Sequence, residues 1–200
     1  MNGFSFELDT LDEHDIVALT RHWVEHAVIG LNLCPFANSV FRKNQIEYRV
    51  SHAVDSQALL QDLSLSLQKI IETPDETLDT LLLIHPWVLT DFLNFNDFVG
   101  LAEDLLEQSG LSGVLQIASF HPRYQFAGVA ADDVTNATNR SPFPMLHLLR
   151  EASLDRAIGS VPDTDDIVER NLEQMRKLGD SGLRELQAHI VQAARAERQR

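Results

Sequence analysis

Cysteine is almost missing: Cys34 stands alone among 200 residues. A single thiol excludes an internal disulfide and every zinc or iron–sulfur site built from several cysteines. Basic residues are scarce too, 16 Lys and Arg against 30 Asp and Glu, which sets the net charge at −14. Nucleic acid and anionic membranes are bound through clustered cations, so neither is expected as a partner. No stretch reaches the roughly 18 apolar residues that a membrane span needs. The opening MNGFSFELDTLDEHD is acidic and lacks the apolar segment of a secretory signal. The expectation is a soluble, cytoplasmic protein. The signatures GxxxxGKS/T, GxGxxG, GxSxG and HExxH are also missing. Their absence removes support for a P-loop, a Rossmann dinucleotide site, a hydrolase elbow and a zincin.

What is present is ordinary globular material, 44% hydrophobic and 23% charged, at a length that suits one domain over 1–200. A core over about 10–160 and helices over about 162–198 are expected. Residues 11–31 carry Ile16, Thr20, Trp23, Val24, Ala27 and Leu31 at helical spacing, with Gly30 as a stop. Ile46, Tyr48, Val50, His52 and Val54 alternate with polar residues as a half-buried strand does. Thr80–Ile84 is an all-apolar run, expected for a strand covered on both sides. Residues 114–120 form a third strand, and 56–72 and 91–109 read as the helices between them. The alternation predicts an α/β fold: a parallel sheet of three or more strands built from βαβαβ units, with flanking helices and a helical C-terminal extension. After the long loop 121–143, a helix is expected over 142–157, with Ser141 as its N-cap and Pro142 as its first residue. Two more follow near 164–178 and 181–198.

Three strands would end at histidines: His52, His85 and His121. Open parallel sheets bind ligands beyond the carboxyl ends of their strands, and imidazole is the usual neutral-pH proton shuttle and a common metal ligand. His121 and His85 are therefore candidate acid/base residues. The set His52, His85 and His121 is the alternative, a metal site. His-Pro pairs also simply end strands, because the residue before proline is held extended. The loop after the third strand gathers Arg123, Tyr124, Asp133, Asn139, Arg140 and Ser141. Arginine grips carboxylates and phosphates with two parallel donors. Arg123, Tyr124, Asn139, Arg140 and Ser141 are thus candidate substrate-binding residues, and Asp133 would fix an arginine or a histidine tautomer. The bland reading of the same loop is a set of caps and turns.

Cys34 sits among Leu31, Leu33, Pro35 and Phe36. Such a thiol is most often a small core residue; it is nonetheless the candidate nucleophile. His22-Trp23-Val24-Glu25-His26 matches HxxEH, the inverted zinc-protease pattern. The apolar stripe of its helix is centred near Thr20, Val24 and Ala27, which sends His22 and His26 to the solvent face. A solvated helix face is the reading preferred there.

The segments LNLCPFA (31–37), FHPRYQF (120–126) and TNRSPFP (138–144) resemble an uncharacterised bacterial family, a domain of unknown function, over about residues 10–160. The resemblance implies only that Cys34, His121, Asn139, Arg140 and Ser141 lie in the family's characteristic segments. The function expected is that of an enzyme acting on a small anionic metabolite by hydrolysis or group transfer. A histidine-based metal-binding protein and a non-enzymatic ligand-binding or interaction protein are the alternatives. No cofactor is specified. The C-terminal helices, with Leu183, Leu186, Ile190 and Ala193 in one stripe, are expected to pack on the domain or to join two copies of the chain.

Overall fold

A computed structural model describes residues 4, 6–158 and 165–199. Helix α1 (Glu13–Trp23) opens with a reciprocal cap, in which the Asp12 carboxylate accepts from the Asp15 N–H and Asp15 accepts from the Asp12 N–H. The apolar stripe then continues through Val24–Ile29, wound as a π-helical turn. There the Gly30 N–H donates five residues back, to Glu25 O at 3.0 Å. Space dictates this glycine, since a Cβ would lie 2.2 Å from the His26 carbonyl oxygen. A short helix α2 (Ala37–Arg42) follows, which the sequence pattern does not announce.

Strand β1 (Ile46–Val50), helix α3 (Ser56–Glu72), strand β2 (Thr80–Ile84), helix α4 (Phe92–Gln108) and strand β3 (Leu115–Phe120) come in the expected order. β1 stops at Val50, short of Val54. The expected helix over 142–157 is replaced by strand β4 (Met145–Arg150) and helix α5 (Glu151–Ile158). Met and Leu favour helices, but a short apolar run does not reveal its own period. Here Leu146 and Leu148 are completely buried, and pairing on both sides decides for the strand.

That strand also corrects the sheet. The order is β1-β2-β4-β3. β1 and β2 are parallel, while β4 runs antiparallel to both β2 and β3. The sheet is therefore mixed, and the parallel βαβαβ core is not what forms. Two antiparallel steps restore the original direction, so β1, β2 and β3 still point the same way and end at the same edge.

The layers follow from the alternation of side chains along β2. Leu81 and Leu83 face Leu59, Leu63, Leu67 and Ile70 of α3 and Phe95, Phe98 and Ala102 of α4. Leu82 and Ile84 face Ile16, Leu19, Trp23 and Val24. Ile190 and Ala194 join that second layer from α6 (Asp165–Arg198). α6 is broken at Gly179, whose φ of 64° lies in the region that glycine tolerates best. The break matches the expected gap between two helices. The expected core limit near 160, the start of the tail at 162 and Thr164 lie outside the described residues. Arg198 anchors the end of α6 by pairing with Asp12 and Asp15. Among the described residues no helix is long and apolar enough to cross a membrane.

Placing β4 at the centre makes a quantitative demand. Leu146 is fully buried, so Leu146→Ala should cost about 2–5 kcal/mol, read as a lower urea midpoint at unchanged slope. A loss below about 1 kcal/mol, the size of a surface change, would contradict a central β4.

Candidate functional site

The shared sheet edge brings His85 and His121 together. The His85 N–H donates to Pro144 O at 3.0 Å, and the His121 N–H to Asn139 O at 3.2 Å. Both rings pack on Phe95, with centroids at 5.7 Å and 5.1 Å. Both residues are completely buried. His121 Nδ1 accepts from the Arg123 N–H at 2.9 Å, so Nε2 carries the proton and donates to Leu89 O at 3.3 Å. His85 Nδ1 donates to Val88 O at 3.1 Å, and its buried Nε2 has no partner. Arg123 donates to Thr90 O. Three side chains thus hold consecutive carbonyls of one loop. Leu89 in that loop has φ of 56°, a strained value for leucine that persists only where the surroundings impose it.

The loop 121–143 is ordered by its own polar groups. Buried Asn136 accepts from the Phe126 N–H at 2.9 Å and donates to Ala130 O at 2.8 Å. Arg140 donates from Nε to Tyr124 O at 3.1 Å and from Nη2 to Ala131 O at 2.6 Å. Burial lowers the pKa of Arg140, and Asp133 nearby counteracts that. Asp133 itself caps the short 3₁₀ helix Val134–Asn139, accepting from the Thr135 N–H and hydroxyl. Those bonds hold its carboxyl below the usual range. Asn139 donates to Ser119 O at 3.4 Å, and Tyr124 packs on Phe92 at 5.2 Å. Ser141 is buried and donates to Phe143 O. The segment it was expected to open as a helix is β4, so Ser141 caps no helix.

Beside these groups lies a cavity of about 370 Å³, lined by Asp91, Phe92, Leu93, Pro122, Arg123, Gln125, Ala131 and Arg140. Asp91 is committed in part as the cap of α4, accepting from the Leu93 and Asn94 N–H groups. Two arginines, one glutamine and one carboxylate, Asp91, which lies 3.8 Å from Arg123 Nη2, therefore line a partly apolar hollow at the edge where sheet strands end.

Other expected members lie elsewhere. His52 is exposed, stacked on Trp87 at 5.1 Å and 3.3 Å from Glu13. The ligand atoms of His52, His85 and His121 do not form a group that could close on one metal ion. Cys34 packs against Phe36, Val40 and Leu149, and burial pushes its thiol up, away from the thiolate form. The solvent-face reading of HxxEH is corrected: α6 lies over it, with Glu197 2.9 Å from His22 Nε2 and His189 against His26. The spacing was visible in the sequence, whereas the cover, contributed from more than 160 positions away, was not. His147 was also missed. It sits mid-β4 with Nε2 2.5 Å from Thr80 Oγ1.

Burial lowers His85, His121 and His147 to pKa values of about 4, so the rings are neutral in the folded state. Once the pH falls below the unfolded value near 6.5, the unfolded chain takes up protons that the folded chain refuses. Stability should thus be undiminished above that value and fall progressively toward pH 4, by on the order of 3 kcal/mol per histidine when complete. Melting curves over this window, read together with the imidazole proton resonances, check it. Rings that titrate near 6.5 in the folded protein would contradict neutral burial.

No curated protein and no solved structure matches the chain. A family model described as Protein of unknown function (DUF1415) matches residues 15–185. That span takes in the sheet, both edge loops and the cavity beside them, and the chain belongs to this family.

Proposed function

We propose that the protein binds a small anionic metabolite, a phosphate ester or a carboxylate, in the cavity between Asp91 and Arg140. The observation that carries the reading is the pairing of Arg123 and Arg140 in one hollow of a chain with net charge −14. The local sign opposes the global one, and the surrounding negative field makes short-range contacts necessary. The volume of about 370 Å³ suits a ligand at the small end of the usual range. Phe92, Leu93 and Pro122 offer apolar contact, and Gln125, whose Nε2 already donates to Val129 O at 2.7 Å, has a second amide hydrogen to offer. Arg123 is the more exposed cation of the pair; its Nη2 donates to Thr90 O and lies 3.8 Å from Asp91 Oδ2, a partly exposed contact that an anion would have to displace or share. Arg140 has a double role, since two of its donors already tie the loop to Tyr124 and Ala131.

His121 has both ring nitrogens engaged within the protein, which favours binding over proton transfer. One observation favours the second reading, hydrolysis or group transfer: His85 Nε2 is buried and unpartnered. His85 is then the acid/base candidate.

Titration calorimetry with inorganic phosphate, pyrophosphate and citrate tests the binding reading. Arg123→Gln should weaken the best of these at least tenfold, or about 1.4 kcal/mol, with the fold retained by circular dichroism. Arg140→Lys should lower both affinity and melting temperature, because it removes the planar fork. Full-strength binding by both variants, or no binding by the wild type, would refute the proposal. Release of phosphate from a generic ester by the wild type and not by His85→Gln would support the second reading.

A further inference from the structure

We propose a divalent transition-metal site at His22, Glu25 and His26, with zinc as the expected ion. It shares no residue with the arginine-lined cavity and does not depend on that reading. The three residues are at i, i+3 and i+4, which puts them on one helix face. Glu25 lies between the two imidazoles: its Oε2 is 3.6 Å from His22 Nδ1 and 4.0 Å from His26 Nε2. The ligand atoms of all three residues lie within 4.8 Å of one another. Tetrahedral zinc with bonds of about 2.0–2.1 Å needs ligand atoms roughly 3.3 Å apart. The two rings are parallel, with centroids 5.5 Å apart, so closure needs one imidazole to turn out of the stack toward Glu25, a side-chain movement that leaves the helix in place.

Three further observations point to a ligand here. His22 Nδ1 is buried and has no hydrogen-bond partner. A buried ring nitrogen without a partner is costly, and a cation beside Glu25 would satisfy it. The opposite nitrogen, His22 Nε2, is 2.9 Å from Glu197 Oε2, and Arg21 holds that same carboxylate. Metal-binding histidines characteristically give their second N–H to a carboxylate, which fixes the ring and its tautomer. Finally, the π-helical turn Val24–Ile29 carries Glu25 and His26, and such turns concentrate at functional positions.

The donor set is two imidazoles and one carboxylate, the chemistry that zinc, cobalt and nickel prefer over magnesium or calcium. The Glu25 side chain is 44% exposed and that of His26 is 30% exposed. A fourth position is therefore open to water or an exogenous ligand, as in sites with three protein ligands. His189 of α6 meets the His26 ring edge-on at 4.7 Å, bringing another imidazole to the rim. Because Glu197 and His189 both belong to α6, a bound ion would tie that helix more firmly to the end of α1.

The test uses the full chain without a histidine tag. Zinc affinity is measured by competition with a chromophoric chelator, and cobalt binding by visible absorption. One equivalent of zinc should bind, the melting temperature should rise with zinc concentration, and cobalt should give the strong bands of a low-coordinate site. His26→Gln and Glu25→Gln change partly exposed side chains and should keep the fold by circular dichroism while losing at least tenfold in affinity. Glu197→Gln should lose 10–100-fold, and His52→Gln should lose nothing. Absence of stoichiometric zinc binding, or equal affinity in the folded His26→Gln variant, would overturn the site.

Discussion

Strand β4 hydrogen-bonds on both sides, to β2 along Thr80–Ile84 and to β3 along Leu115–Phe120. The rest of the molecule is positioned from this double pairing. It holds the ends of β2 and β3 one strand apart and leaves them pointing the same way. His85 and His121 can then both pack against a single phenylalanine, Phe95. Pro144 O, just before β4, receives the His85 N–H. The same strand buries Leu146 and Leu148 against one helical layer and Met145 against the other. A slip of one residue in β4 would exchange those faces and separate the two edge loops.

At that edge the structure resolves a problem of polar accounting. Two loops leave the sheet, and buried carbonyls need donors. His85, His121 and Arg123 supply them to 88–90, and Arg140 and Asn136 supply them to 121–143. Neutral imidazoles suit this work, because a charged ring would bring a desolvation cost into the apolar contact with Phe95. Such bonding gives a preformed hollow, with the half-exposed Arg123 on its rim beside Asp91. It also makes Arg140 a structural residue whether or not a ligand is present.

The opposite layer has its own logic. α6 returns over α1, buries Ile190 and Ala194, and closes with Arg198 between Asp12 and Asp15. In doing so it converts a solvent face into a half-buried cluster of His22, Glu25, His26, His189 and Glu197. A chain this acidic gains from placing Arg21 and Arg198 where they meet carboxylates of another helix, although partly exposed pairs add little stability individually.

Much of this was legible in the order of residues. Thr80–Ile84 announced a strand covered on both faces, since the four residues after Thr80 are all apolar. The stripes of α1, α3 and α4 announced their buried faces, and the paired His-Pro endings announced a common edge. The loop 121–143 was recognisable as ordered from its aromatics and prolines, but its hydrogen bonds were not, because Asn and Arg donate equally well to a ligand or to a carbonyl. What only the tertiary structure decided was the state of Met145–Arg150 and the company of His22. A six-residue run of Met, Leu, His and Arg fits a helix or a strand by local preference, and two waiting sheet edges settle the choice. Residues 22–26 present the same spacing whether or not α6 covers them. That cover depends on contacts between positions 22 and 197, and no local period encodes a contact over such a separation.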